Sequence, residues 1–379
     1  MKRWVEYSDS SKTTTVGIIL VGPQEDKGWS EAHFRAVLYA ESKIPGVKNV
    51  TLDKLNSADR PNTTLDQVVQ DMVTEGAKLI ITTSDAFQAD TTVVAKKYPD
   101  ITFINVSGDA VLKGDVPKNL GNFMGRMEYM KMVGGCAAAL ATKTNKIGYL
   151  GPLVNDETRR LASAAYLGVR YCFQKYRGGD PNSLRFEVKW IGFWFNIPGV
   201  TLNPTEVANG FFDNGTDVVM SGIDTPEAIV VTKQRVDRGE KIFAVPYDYQ
   251  GACDLGAGAC LGVPYFNWGP AYVKAIAEFR AGVWHSNWDW NGPKWSNIND
   301  PDESNVGFAY GPALTADQKV TLVGFVNDMG NGKVNLFTGP LNYQSGKVFL
   351  TNGEVATDQQ IWYMPELLQG MIGASEASK

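Results

Sequence analysis

The sequence predicts an α/β protein made of two doubly wound parallel-sheet lobes. Three observations carry this. Short apolar, β-branched runs alternate with stretches of helical spacing, the pattern of repeated βα units with helices on both sheet faces. The pattern restarts near residue 126 and yields a second block of comparable length. The chain has 379 residues, 44% hydrophobic and 20% charged, which suits a soluble fold of about two or three domains.

The elements follow in order. "TVGIILVG" reads as the first strand and "WSEAHFRAVLYAESKI" as the helix after it. "VKNVTLDKL" is a second strand. "TTLDQVVQDMVTEGA" is a helix that the Thr64 hydroxyl is placed to cap. "KLIITTS" is a strand, "AFQADTTVVAKKYPD" a helix and "ITFINVSG" a strand. In the second block, "RMEYMKMVGGCAAALATKT" is helical and carries small residues that permit close packing. "KIGYLGPL", "LRFEVKWIGFW", "DVVMSGID" and "KIFAVPYDY" are strands. "TRRLASAAYLGVRYCFQKY", "PTEVANGFFDNG" and "TPEAIVVTKQRVDRG" are the helices between them. The remainder holds the helix "GPAYVKAIAEFRAG", a Trp-rich loop "VWHSNWDWNGPKW", and a helix near "TADQKVTLVGFVNDMG" among short strand-like pieces.

Composition excludes several classes. A net charge of −5 supplies no basic excess for neutralising phosphates, which argues against a general nucleic-acid binder. No apolar run reaches the roughly 18 to 20 residues that span a bilayer. The opening "MKRWVEYSDSSKTTT" has no apolar signal region, and residues 1–14 read as a disordered leader. None of the four cysteines forms C-x-x-C, and His33 and His285 are far apart, so no metal site is expected. Cys253 and Cys260 bracket "DLGAGA", where they either close a disulfide or serve as small free hydrophobes.

Doubly wound sheets bind ligands outside the carboxyl ends of their strands, and two such lobes suggest a cleft between them. Five of six such ends carry an Asp, within "GPQEDKGW", "TTSDAF", "VSGDA", "SGIDTP" and "VPYDYQ"; the sixth, "FWFNIP", carries an Asn. Several also hold an aromatic. Rings plus carboxylates suit a planar ligand that bears N–H or O–H donors. Trp29, Phe87, Trp194, Phe195 and Trp268 are candidate platforms, with core packing as the competing reading. His33 lies four residues after Trp29 and shares its helix face, where it either meets ligand or packs. Asp26 and Asp248 are candidate carboxylates, and Asp224 competes with a helix-capping role. No nucleophile elbow and no phosphate-binding loop occurs, and "GAGACLG" lacks the spacing of a dinucleotide site. No cofactor is expected, and the chain does not read as an enzyme.

Across roughly residues 15 to 372 the sequence resembles the basic membrane protein family of solute-binding lipoproteins, which serve ABC transporters. The resemblance is carried by "VGPQEDKGWSEAH", "LIITTS" with "AKKYPDITF", "NFMGRMEYMKMVGG", "TKTNKIGYLGP", "WFNIPG", "NWGPAYV", "GVW" and "LFTGPL", in that order and spacing. It implies a type I periplasmic-binding-protein fold with a ligand cleft and hinge. The first lobe would take residues 15–123 and about 249–310, the second 124–248 and about 311–379. The chain looks most like a branch with D-x-G-W-[ST]-x-x-H and W-F-[DN]-P segments, whose members bind purine bases or purine nucleosides. By motif, Trp29 would be the stacking ring of the first lobe and Trp194 or Phe195 that of the second. Asp26, Ser84, Asn196, Asp224 and Asp248 would be polar contacts, and Trp268 would line the cleft near the hinge; Asp85 and Phe87, on the same strand-end turn as Ser84, are further ligand-binding candidates. The branch has an acid and Gly-Arg after the histidine, where this chain has "FRAV". It has Phe-Gly where this chain has Asp85-Ala86, Gln-His where it has Ser221-Gly222-Ile223, and a second acid where it has Tyr249-Gln250. The implied protein is an extracytoplasmic monomer that partners ABC permease subunits. It binds no nucleic acid and touches the membrane only through any lipid anchor on its native N-terminus. The competing readings are another heterocycle or a sugar-like solute in the same fold, a ligand-sensing regulator without a transporter, and a nucleoside hydrolase or phosphorylase.

Overall fold

The computed structural model describes residues 13–114 and 116–377. Most of the expected leader, through residue 12, lies outside the described residues, and Thr14 already opens the first strand. The chain divides into two compact units. One holds the chain through Arg126 with Phe266–Lys294 and Asp300–Val306; the other holds Met127–Tyr265, Trp295–Asn299 and the chain from Gly307 onward.

The first unit has strands β1 (Thr14–Ile19), β2 (Val47–Leu52), β3 (Ala77–Thr82), β4 (Thr102–Val106) and β5 (Leu120–Gly125). Between them run helices α1 (Trp29–Lys43), α2 (Leu65–Thr74), α3 (Gln88–Lys97) and the short α4 (Ala110–Lys113). The sheet is parallel and ordered β5-β4-β3-β1-β2, with a further strand, Trp288–Asn291, beside β5. The strand order reverses between β1 and β3, which creates a switch point at their carboxyl ends. Val16, Ile18 and Ile19 of β1 and Leu79, Ile80 and Ile81 of β3 are fully buried, as helices on both faces require. α2 begins at the expected cap: Thr64 Oγ1 accepts from Gln67 N–H, and the Gln67 side chain accepts from Thr64 N–H. β5 is not among the strands expected from the sequence. Its glycines answer crowding. A Cβ at Gly125 would lie 2.7 Å from Val306 Cγ1 and 2.9 Å from the Phe266 ring.

The second unit starts with α5 (Met127–Ala141), then β6 (Lys146–Gly151), α6 (Asp156–Arg177), β7 (Arg185–Trp190), α7 (Pro204–Asp213), β8 (Val218–Ser221), α8 (Glu227–Val236) and β9 (Phe243–Val245). Its parallel sheet runs β7-β6-β8-β9, and Met371–Ile372 adds an edge strand beside β7. The reversal recurs between β6 and β8. α5 and α6 approach closely because Gly135 faces Ala165 O and Gly168 faces Met132 O; a Cβ on either glycine would stand 2.1 Å from that oxygen. A disulfide, Cys136–Cys172, ties the same two helices. Cys253 and Cys260 form a second disulfide, which settles the choice that their spacing left open. The segment around them belongs to this unit, whereas 249–310 was expected with the first. Ala252, Ala259 and Cys260 pack into one core cluster with Ile229 and Ala244, and that cluster holds the segment here.

Candidate functional site

In the first unit the chain leaves β1 at Ile19, turns through Gly22–Asp26 and enters α1 at Trp29. Asp26 builds this turn. One carboxylate oxygen accepts from Gly28 and Glu31 N–H, the other from Ser30 N–H, each at 2.9 Å. The sequence reading had this carboxylate facing ligand, and the structure uses both its oxygens to cap the first turn of α1. Burial pushes its carboxyl up to about 6, against the opposing pull of those three N–H groups.

Trp29 is 6% exposed, and its Nε1 donates to Thr83 O at 2.6 Å. Thr83 N–H in turn donates to Ile19 O, so the indole bridges the exits of β1 and β3 at the switch point. Its ring meets His33, Phe266 and Trp268 edge-on at centroid distances of 4.7, 5.3 and 5.4 Å. Trp268 stacks on His33 at 4.5 Å and on Phe266 at 4.4 Å. His33 Nδ1 lies 2.7 Å from the Tyr272 hydroxyl, and burial drives its pKa well below the usual histidine value, which keeps the ring neutral. The structure thus gathers Trp29, His33 and Trp268 into one cluster with Phe266 and Tyr272, two members that the sequence reading missed. Ser84, Asp85 and Phe87 follow β3 in a single turn. Ser84 Oγ accepts from Ala86 N–H, its carbonyl accepts from Asn105 Nδ2, and Phe87 is buried.

In the second unit, Trp194 O accepts from Asp224 N–H at 2.9 Å, which ties the turn after β7 to the turn after β8. Phe195 packs its edge against Phe193, and Asn196 Oδ1 accepts from the Thr201 hydroxyl. Asp248 follows β9. It is fully buried, has a φ of 69° and donates its N–H to Pro264 O. A φ there is unusual for a residue other than Gly, and Asp tolerates it better than most. Over the ring of the preceding Tyr247, 3.1 Å from its centroid, lies the Nζ of Lys131 of α5, which sequence reasoning passed over. Its signal was a lone lysine amid the apolar "MEYMKMVGG". Groups of at least three His, Cys, Asp or Glu side chains able to hold a metal do not occur among the described residues.

Comparison with known proteins identifies the family. Residues 13–292 match the Bmp family, described as ABC transporter substrate-binding protein, PnrA-like. The chain belongs to this family. Bmp proteins are extracytoplasmic, bind small molecules and work with permease subunits. A purine-binding protein of Brucella abortus is 28% identical over 94% of this chain and 92% of its own. A putative ABC transporter glucose-binding protein of Haloferax volcanii is 23% identical over 86% of this chain and 75% of its own. Among solved structures, a solute-binding protein of Aeropyrum pernix superposes with a TM-score of 0.66 at 15% identity, covering 85% of this chain and 92% of its own. One from Conexibacter woesei gives 0.61 at 17% identity, covering 85% and 98%. These likenesses show the type I periplasmic-binding-protein fold that the sequence implies.

Proposed function

We propose that this Bmp protein captures a purine base or purine nucleoside and delivers it to the permease of an ABC importer. The observation that carries the reading is the presence of a Trp and an Asp on the strand-exit turns of both units. Trp29 lies at the first reversal, and Trp194 with Asp224 at the second. The Brucella relative named as purine-binding supports it. Each base–ring stack contributes about 1–3 kcal/mol. A hydrogen bond to a charged group adds about 1.5–3 kcal/mol. Two of each, less the cost of association, leave about −8 kcal/mol, a micromolar complex.

Asp26 contributes by positioning Trp29, and the direct polar contacts come from Ser84, Asp85, Asn196, Asp224 and Asp248. The protein acts as a monomer, without chemical conversion of its ligand, in the periplasm or at the cell surface. The two disulfides support an oxidising location.

The test is a thermal-shift and calorimetric panel on protein stripped of co-purified ligand. It includes adenine, guanine, hypoxanthine, xanthine, their nucleosides, pyrimidines and glucose. A ligand at 100 times its Kd stabilises by about 2.7 kcal/mol. Stabilisation by purines alone is expected. Stabilisation by glucose and by no purine overturns the reading in favour of a sugar, the alternative that the Haloferax relative favours.

A further inference from the structure

The Trp-rich stretch after the helix Gly269–Ala281 takes no part in the site described above, and its first member, Trp284, lines a groove. The groove holds about 520 Å³ and lies wholly within the first unit. Lys96 is in the last turn of α3, Thr102 opens β4, and Pro117, Lys118 and Asn119 lead into β5. The groove therefore sits at the amino ends of the strands. Trp29 and Ser84 stand beyond the carboxyl ends of β1 and β3, and the five residues of β4 alone span about 15 Å.

The walls are built rather than loose. Asn119 Nδ2 lies 3.0, 3.0 and 2.7 Å from the carbonyl oxygens of Ala95, Tyr98 and Ile101, which ties the end of α3 to the entry of β5. Pro99 and Pro117 stiffen the two connecting segments. Trp284 is half-buried, and its backbone N–H donates to Glu278 O. Its Cζ2 is 3.0 Å from where a Cβ at Gly121 would stand, so the glycine of β5 makes room for the ring.

The charge of the lining is one-sided. None of its residues is acidic, in a chain of net charge −5. Asp100, beside Pro99, is exposed and outside the lining. Lys97 is spent on Asp66 at 2.7 Å. Lys96 and Lys118 are exposed and have no ion pair among the described residues. The Trp284 indole N–H and the Thr102 hydroxyl likewise have no protein partner among those residues. Unspent donors and the apolar surfaces of one Trp and two Pro thus share one groove. Ammonium groups attract an anion as point charges, and an indole ring suits a flat apolar body. The volume falls in the range of about 300–1,000 Å³ typical of small-molecule sites.

We propose that this groove is a second binding site, for an organic anion with a flat apolar body. Trp284 packs against the body, and Lys96 and Lys118 hold its carboxylate, sulfonate or phosphate. The site is separate from the strand ends assigned to solute capture and does not rest on the purine reading.

The probe is anilinonaphthalene sulfonate, a flat aromatic anion that fluoresces when bound, with the neutral N-phenylnaphthylamine as its uncharged counterpart. Both are titrated into the parent, the double variant Lys96→Gln with Lys118→Gln, and Trp284→Leu, each at low and high salt. The two lysines are exposed, so the double variant should melt within about 2 °C of the parent. It should lose at least fivefold in sulfonate affinity at low salt and less than twofold for the neutral amine. The parent's sulfonate affinity should fall as salt rises, and the double variant should lose most of that dependence. Trp284→Leu should weaken both probes at least fivefold.

Sulfonate binding that is unchanged in the double lysine variant, or weakened equally for the neutral amine, overturns the proposal, because the dye then binds elsewhere. Unchanged binding in a folded Trp284→Leu does the same. If Trp284→Leu does not fold, the lysine pair and its salt dependence decide alone. The solute that stabilises the parent in the thermal panel should bind the double lysine variant within twofold of the parent. A parallel loss there overturns the separation of the two sites.

Discussion

Truncating Trp29 separates scaffold from ligand contact. The side chain is 6% exposed, touches three rings, and spends its Nε1 proton on Thr83 O. Replacing a buried Trp by Ala costs about 3–5 kcal/mol through lost transfer energy and a residual cavity. At about 2–4 °C per kcal/mol for a unit of this size, the Trp29→Ala midpoint should fall by at least about 6 °C. Trp29→Phe keeps most of the ring and loses the N–H, so about 1–3 kcal/mol is expected for leaving Thr83 O without its donor. The assay is urea or thermal unfolding of parent, Phe and Ala proteins, followed by calorimetric purine titration well below the lowest midpoint. If the ring is also a stacking platform, Phe should retain affinity within about tenfold while Ala loses about 1–3 kcal/mol. An Ala variant that melts within 2 °C of the parent would refute the burial argument, and equal affinities of all three would refute the platform.

The two disulfides should contribute unequally. Loop-closure entropy for sequence separations of 36 and 7 corresponds to about 4 and about 2 kcal/mol. Paired Cys→Ala substitution at Cys136 and Cys172 should therefore lower unfolding stability more than substitution at Cys253 and Cys260, and the reverse order in urea melts counts against the reasoning. For His33, burial depresses the folded pKa well below the unfolded value of about 6.5. The stability it supports is fully present above pH 6.5 and is lost as pH falls below that value. His33→Phe should flatten that part of a stability profile taken from pH 8 to 5, and an unchanged slope excludes His33 as the group responsible. Asp26 carries the opposite sign: its carboxyl is raised from 3.8 to about 6, so the stability it favours at low pH is lost as pH rises to 6.

The fold was legible where apolar content alone determines an element. β1, β3, β4 and β6 are short apolar runs, and burial on both faces leaves such runs few alternatives. β5 was not legible, because Gly121 and Gly125 answer side chains arriving from distant sequence, Trp284 against the first and Val306 and Phe266 against the second. The strand Trp288–Asn291 hid in a Trp-rich stretch for a related reason. Its alternation is supplied by large rings, and only pairing with β5 decides that it is extended. Local pattern cannot encode a partner that lies more than 160 residues away. The Cys136–Cys172 bridge was equally silent, since its spacing carries no signature outside the packing of α5 on α6.

The candidate site divides along the same line. That Trp29 stands at a strand exit could be read from "GPQEDKGW", and the structure adds that its N–H clamps β1 to β3 through Thr83. Asp26 at the same exit was read as a ligand contact. A carboxylate two residues before the N-cap Gly28 satisfies either role in sequence, and the three backbone N–H groups converging on it show the capping one. Lys131 shows the converse. A single lysine in an apolar helix usually extends its charge to solvent. Here α5 is enclosed on nearly every side, with Met130, Met132 and Val133 fully or almost fully buried, so the charge cannot reach water. Burial lowers its pKa well below the usual lysine value, and the Ser221 carbonyl, the Tyr247 face and the charge of Asp248 offset part of that cost. A residue whose charge is that confined is constrained by groups of the strand ends themselves, which is why substitutions at Lys131 should be felt there before they are felt elsewhere in the second unit.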